Sequence, residues 1–269
     1  MPFPECERVI YNKNPLDFVI FQVRFPSILR IDSEVPAKFQ DIIRGQYPLF
    51  NESRGLNLTI PLGPRQVDSL ESTDSSKPGL PPPIAPVTYQ FSSEDKLWQI
   101  SLTRDFMALT CKDYKKWEDF KAHLEPPLAA LLDQYSPSFC TRIGLRYRDV
   151  IVPSKLGLDS VAWSDLLKPS IAGELSSREV ANEVQHVAKE VVIQFSDENS
   201  HVRILHGLAK TDKDEPVYLI DSDFFTDERT ETNDVVKVLE GFNTQARCLF
   251  RWCIQDRLHE AMEPQSVPE

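Results

Sequence analysis

Three arginines in the segment TRIGLRYRDV are separated from one another by even numbers of residues. Their guanidinium groups are the strongest candidates for chemistry in the chain. In an extended strand Arg142, Arg146 and Arg148 point to one face, because successive side chains alternate. Arg24 ends the polar face of the first predicted strand, which can lie beside this one. Guanidinium groups bind carboxylates and phosphates through paired hydrogen bonds. Two interpretations follow: a pocket for an anion, a nucleotide phosphate or an acidic peptide, or a structural network with the chain's own carboxylates.

An acidic pair in the segment LIDSDFFTDE is a second candidate. Asp221 and Asp223 are two residues apart, so on a strand both carboxylates face the same side and can hold Mg²⁺ or Mn²⁺. A strand end followed by an Asx turn in a solvated acidic patch also explains the spacing. The metal site is therefore one of two hypotheses for this segment.

The sequence lacks the local motifs that mark common catalytic and cofactor sites. Neither GxGxxG nor GxxxxGK occurs, and the chain has only 9 glycines, so no glycine-rich loop predicts a nucleotide site. HExxH, GxSxG and CxxC are also absent, and the histidines and cysteines are scattered. These absences favour a protein without enzymatic activity and without a cofactor, and only a triad built from distant residues stays open.

The charge balance argues against nucleic-acid and membrane partners. The chain carries 30 basic and 41 acidic side chains, for a formal net charge of -11, which disfavours nucleic acid and anionic lipid and favours basic proteins. No window approaches the roughly 18 apolar residues of a membrane span, and the first residues lack the basic and apolar regions of an export signal. The five unclustered cysteines predict free thiols and a cytoplasmic protein.

The apolar pattern predicts an α+β fold, with antiparallel sheets flanked by helices in two similar halves. The order is strands followed by an amphipathic helix, and this order occurs twice. We assign residues 1–153 to an N-terminal half, 154–178 to a connector and 179–269 to a C-terminal half. The first half contains a brief predicted strand, Leu56–Leu62, and a Pro- and Ser-rich loop at 63–86.

Two segments are candidates for contact with a partner protein. A long C-terminal helix is predicted over 233–261, and its roughly 40 Å length exceeds the width of a typical sheet, so one end is predicted to be available. Trp252 lies off the apolar stripe of this helix and is the first candidate contact. In the loop, Pro81, Pro82 and Pro83 form either a polyproline-type docking segment or a solvated connection.

Two stretches carry a resemblance to a known family. NPLDFVIFQVRF at Asn14–Phe25, and YKKWEDF with RIGLRYRDVI within Tyr114–Ile151, resemble a sporadically distributed bacterial family of about this length with no settled activity. Its members share an NPL-then-RF opening and an RIGLRY-type strand. The resemblance implies a bacterial, cytosolic protein whose genes travel with defence or mobile-element loci, and it implies no active site.

Taken together, these patterns favour a non-enzymatic interaction or regulatory protein, an accessory component of a bacterial system such as antiviral defence. The expected partner is another protein, encoded nearby. The alternative is an anion- or nucleotide-binding protein, with or without a metal, that uses Arg24, Arg142, Arg146 and Arg148.

Overall fold

The computed structural model describes residues 2–54, 87–211 and 213–267. The predicted strand Leu56–Leu62 and the loop at 63–86, with Pro81, Pro82 and Pro83, lie outside these residues. The described part of the chain forms one nine-stranded sheet and one two-stranded sheet, both antiparallel, together with helices. The predicted α+β class, with antiparallel sheets and a long C-terminal helix, is confirmed.

The strands follow one another along the chain with the helices placed between sets of strands. In chain order the strands are β1 (Val9–Tyr11), β2 (Leu16–Arg24), β3 (Leu49–Arg54), β4 (Val87–Ser92), β5 (Trp98–Leu102), β6 (Phe106–Cys111), β7 (Arg142–Ile151), β8 (Lys189–Gln194), β9 (Ser200–Lys210), β10 (Pro216–Thr226) and β11 (Pro264–Ser266). The helices are α1 (Leu29–Ser33), α2 (Ala37–Ile43), α3 (Trp117–Tyr135), α4 (Trp163–Leu166), α5 (Pro169–Ala172), α6 (Val235–Cys253) and α7 (Asp256–Ala261).

The large sheet consists of two halves of the same design that meet at its centre. Its strand order is β3-β4-β5-β6-β2-β7-β10-β9-β8. β2 opens the first half, which continues through short helices and a meander ending in β6, and closes with α3. β7 opens the second half, which continues through short helices and the meander β8-β9-β10, and closes with α6. β7, which we assigned to the N-terminal half, therefore holds the place in the second half that β2 holds in the first.

The two faces of the sheet differ because side chains alternate along every strand. On β7 the fully buried Ile143 and Leu145 face the helices, and the hydroxyl of Tyr147 reaches Asn243 of α6. The opposite face carries the even-numbered residues of β7, and we call it the arginine face. One hydrophobic core joins both halves on the helical side.

The C-terminal helix is shorter than predicted, because the chain leaves the helix to pair with the connector. Ile254 is extended and bridges Leu167, and the amide of Lys168 donates to the carbonyl of Cys253 at 2.9 Å. α7 then begins at Asp256. The connector is itself part of the core, since it contributes buried apolar side chains, among them Leu166, Leu167, Ile171 and Leu175.

Two other local features depart from simple sequence rules. Pro126 and Pro127 lie inside α3, which nevertheless runs unbroken from Trp117 to Tyr135. β3 was not predicted at Leu49–Arg54, where Leu49 and Phe50 remain partly exposed on an edge strand. In the described residues, no helix combines the length and the apolar character that a bilayer span requires.

Candidate functional site

The four arginines that the sequence placed on one face lie together at the centre of the sheet. Arg142, Arg146 and Arg148 alternate along β7, and Arg24 of β2 is the register partner of Arg142. The position of β7 between β2 and β10 brings this face against Asp221 and Asp223 of β10 as well. The arginine and the acidic candidates therefore belong to one cluster.

Two of the arginines are neutralised from within this cluster. Arg146 donates from Nε and Nη2 to the two oxygens of Asp221 at 2.7 and 2.5 Å, and each side chain is 5% exposed. Arg142 donates from Nη2 to Asp223 at 2.7 Å, and its guanidinium lies over the ring of Phe225. The internal salt-bridge network, one of the two interpretations of these arginines, accounts for Arg142 and Arg146.

The same pairing occupies the carboxylates of the metal hypothesis. Asp221 and Asp223 both accept hydrogen bonds from guanidinium groups, which leaves them poorly placed to hold a cation. Burial raises the pKa of Asp223 above its usual value by more than the nearby Arg142 lowers it. Across the part of the chain that the structure describes, no cluster of three His, Cys, Asp or Glu side chains could hold a metal ion.

The other two arginines are more accessible. Arg24 is exposed at the end of β2. The side chain of Arg148 is 37% exposed, lies over the ring of Phe18, and has Asp17 at 3.8 Å from its Nε, a long separation for an ion pair. An external anion would meet these two guanidinium groups rather than the paired ones.

Trp252, the candidate contact on the C-terminal helix, packs inside the protein. Its ring lies 5.6 Å from the ring of Phe3, which is buried, and Trp252 is itself only partly exposed. The indole therefore fixes the N-terminal segment against α6. The candidate prolines, Pro81, Pro82 and Pro83, lie outside the described residues.

An exposed sheet edge provides a different surface. β8 pairs with β9 on one side, and no strand in the described ranges pairs with its other side. Val191 and Val192 of this strand are 44% and 56% exposed. The charges on Lys189 and Glu190, which often protect an edge, are each held in an ion pair within the chain. The β8 edge thus presents unpaired backbone groups flanked by apolar side chains.

A cavity of about 120 Å³ lies on the helical side of the sheet, between β1, the start of α3, β7 and α6. The hydroxyl of Tyr147 donates to the Oδ1 of Asn243 at 2.9 Å, and the hydroxyl of Tyr114 lies 3.5 Å from the same oxygen. Polar groups in the lining come from four different elements, and the rest of the wall is largely aromatic and aliphatic.

None of the candidate site residues from the sequence lines this cavity, and its most distinctive residue is Asp149. It is 5% exposed, and its carboxyl makes no hydrogen bond or ion pair with any residue that the structure describes. Burial raises its pKa well above the usual range, and the negative charge of Asp221 adds to the effect. A signal was present in the sequence: Asp149 follows Leu145 and Tyr147 on the apolar face of β7, where the alternation requires an apolar side chain.

Comparison with known proteins gives no assignment, since neither a protein-family model nor a curated protein matches the chain. A function for the chain therefore rests on the arginine face, the β8 edge and the cavity. The cavity takes residues from the NPL segment (14–16), from the YKKW run (114–117), and Tyr147 and Asp149 from β7.

Proposed function

We propose that the chain is a non-enzymatic interaction protein that binds another protein by strand addition at the β8 edge. The single observation that carries this proposal is the exposure of Val191 and Val192 on a strand whose outer side has no partner in the described residues. In strand addition, an extended segment of the partner forms main-chain hydrogen bonds to the edge, and the flanking side chains provide specificity. The exposed valines would pack against alternate side chains of that segment.

The charge of the chain favours a different protein over a second copy as the occupant. Two copies that each carry a net charge of -11 repel one another, whereas a basic partner is attracted. The family resemblance supports a bacterial, cytoplasmic setting, in which the partner is encoded near this chain at a defence or mobile-element locus. The protein would then be a regulatory or accessory component of that system.

Binding of an anion or nucleotide to the arginine face has weaker support. Arg142 and Arg146 are already paired with buried or half-buried carboxylates, so a phosphate would have to displace these ion pairs. Only Arg24 and Arg148 offer guanidinium groups with substantial access to solvent, and they lie on different strands.

Co-purification with each neighbouring gene product tests the proposal. Val192→Lys places a charge on the edge and should reduce partner capture by at least about tenfold. Val35→Lys is the matched control: Val35 is 66% exposed and lies between α1 and α2, outside β8 and its neighbour β9, so capture should be unchanged. Hydrogen exchange should show that the amides of β8 become protected in the complex.

Three results would contradict this assignment. Equal capture by Val192→Lys and Val35→Lys would show that the partner binds elsewhere. Protection confined to another element would lead to the same conclusion. Protection of β8 in the isolated protein, together with a doubled mass in solution, would identify a second copy as the occupant.

A further inference from the structure

We propose that the cavity between β1, α3, β7 and α6 binds a small organic cation, a single-ring or similarly sized molecule bearing an ammonium or amidinium group that donates to Asp149. This site lies on the opposite side of the sheet from the arginine face and is independent of the partner surface at β8. It would make the chain a ligand-binding protein in addition to an interaction protein.

The isolation of Asp149 is the first reason for this assignment. A buried carboxyl is normally paired or hydrogen-bonded, because an ionised group without partners is costly in a low-dielectric interior. Asp149 is 5% exposed, borders the cavity, and has neither kind of partner in the described chain. Arg146, on the same strand, directs its guanidinium to Asp221 on the other face of the sheet. A cationic donor in the cavity would supply the missing partner.

The walls of the cavity suit the body of such a ligand. Tyr11, Tyr114, Trp117 and Phe250 contribute aromatic rings to the lining, and aromatic faces attract cations as well as flat apolar groups. Asn243 accepts from Tyr147 through its Oδ1, so the amide NH₂ group is the part of this side chain that remains for a ligand. Apolar atoms make up most of the surface of the wall, as in typical small-molecule sites.

The charges around the entrance do not favour an anion instead. The lining also contains Arg8, Lys115 and Lys116, but each of these forms an ion pair with an exposed acid of the chain. Arg247 lines the wall on α6 and already has an interaction within the protein. An anion at the inner end of the cavity would gain no ion pair from Asp149, whether this carboxyl is neutral or ionised, whereas a cation would stabilise its ionised form.

A metal ion fits this cavity less well than an organic cation. Hard divalent cations require several oxygen ligands, most of them carboxylates or carbonyls. Asp149 is the one carboxylate in the lining of this cavity. The tyrosine hydroxyls beside it stay protonated, because burial raises the pKa of both Tyr114 and Tyr147.

Three related compounds test the charge that the cavity prefers: benzamidine, its neutral isostere benzamide, and the anion benzoate. Isothermal titration calorimetry with the full chain should show that benzamidine binds at least about tenfold more tightly than benzamide, the advantage of a charge-assisted over a neutral hydrogen bond. Benzoate should bind more weakly than either. Equal affinities for the three compounds, or no detectable binding of benzamidine, would overturn the proposal.

Variants locate the binding. Asp149→Asn keeps the size and the neutral form of the buried group, and it should abolish the preference for benzamidine over benzamide. Asp165→Asn, at a side chain 58% exposed and outside the lining, makes the same change in net charge and should leave the preference intact. Ala246→Leu fills the cavity from α6 and should remove benzamidine binding even if Asp149→Asn folds poorly. A preference that survives both Asp149→Asn and Ala246→Leu would show that the cation binds elsewhere.

Discussion

Arg146 on β7 and Asp221 on β10 form a two-point ion pair across adjacent strands, and both side chains are 95% buried. The two residues are not directly opposite each other. The register partner of Arg146 is Asp223, and its guanidinium reaches diagonally to Asp221. Arg142, next to Ile143 at the end of the register, reaches farther along β10, past Phe225, to Asp223. Both guanidinium groups lean in the same direction along β10, so that each arginine meets its own aspartate on the middle strands of the sheet.

Removing the cation of the buried pair should strongly destabilise the fold. Arg146→Met leaves the carboxylate of Asp221 buried without its two-point partner, which costs about 3–5 kcal/mol. Urea unfolding measures this loss as a lower midpoint. Arg44→Met, which breaks an exposed helical pair with Asp41, is the control and should change stability by less than about 0.5 kcal/mol.

The double variant Arg146→Met with Asp221→Leu distinguishes the pair from a general need for Arg146. It should recover most of the lost stability, because two apolar side chains replace two buried charges. A double variant no more stable than Arg146→Met would show that the ion pair itself is not the cause.

Gly144 leaves room for the ion pair of Arg142 and Asp223 to pack directly against the backbone of β7. A Cβ added at this position would lie 3.6 Å from the guanidinium carbon of Arg142 and 3.6 Å from a carboxylate oxygen of Asp223. Gly144→Val would therefore push the pair off the strand and should cost about 1–3 kcal/mol. Gly144→Ala, whose methyl group sits at normal contact distance, should be tolerated. Equal losses for the two variants in urea unfolding would contradict this account.

Much of the arginine face could be predicted from the sequence, because alternation is a local property of a strand. The pattern at 142–148 placed the arginines on one face before their partners were known. Their pairing with Asp221 and Asp223 depends on register between segments about 75 residues apart, and no local rule supplies that register. From the sequence, the two aspartates were therefore interpreted as possible metal ligands and not as the counter-ions of the arginines.

The end of the C-terminal helix is a second feature that local sequence patterns could not predict. The apolar steps continue past Cys253, so helical periodicity alone extends α6 through Ile254 to Leu258. The break is set by backbone hydrogen bonds to the connector, where the amide of Gln255 donates to the carbonyl of Leu166 at 2.8 Å. Because such a contact is tertiary, it overrides a local preference that the sequence states clearly.

Gly207 is required where the chain crosses β9. A Cβ at this position would lie 1.9 Å from the carbonyl oxygen of Val187, which is backbone and cannot rotate away. Gly207→Ala should therefore cost about 2–4 kcal/mol, as the crossing segment must move. Gly241→Ala is the matched control, since no atom lies within 4 Å of its Cβ and alanine favours the helix α6 by about 1 kcal/mol. Thermal unfolding should show opposite shifts for the two variants.

The raised pKa of Asp149 makes a prediction about stability and pH. The folded protein holds this carboxyl neutral to a higher pH than the unfolded chain, where an aspartate titrates at about pH 4. Between these two pKa values the unfolded chain has released a proton that the folded protein retains, so Asp149 lowers stability progressively as the pH rises. The loss is absent below the unfolded pKa and complete above the folded one.

Asp149→Asn should therefore be more stable than the original chain at neutral pH, and the difference should disappear as the pH falls toward 4. The other groups that face Asp149 are the same in both proteins: Tyr11, Tyr114 and Tyr147, whose pKa values are raised by burial, and the side chains of Arg8 and Arg247. His259, bonded to Tyr11, has a pKa lowered by burial, and Asp149 is not among the charges that act on it. The midpoint of thermal unfolding, measured from pH 4 to pH 8, should be the same for the two proteins near pH 4. As the pH rises, the midpoint of Asp149→Asn should exceed that of the original chain by a growing margin. Parallel curves would mean that Asp149 ionises freely in the folded protein and already has a counter-charge.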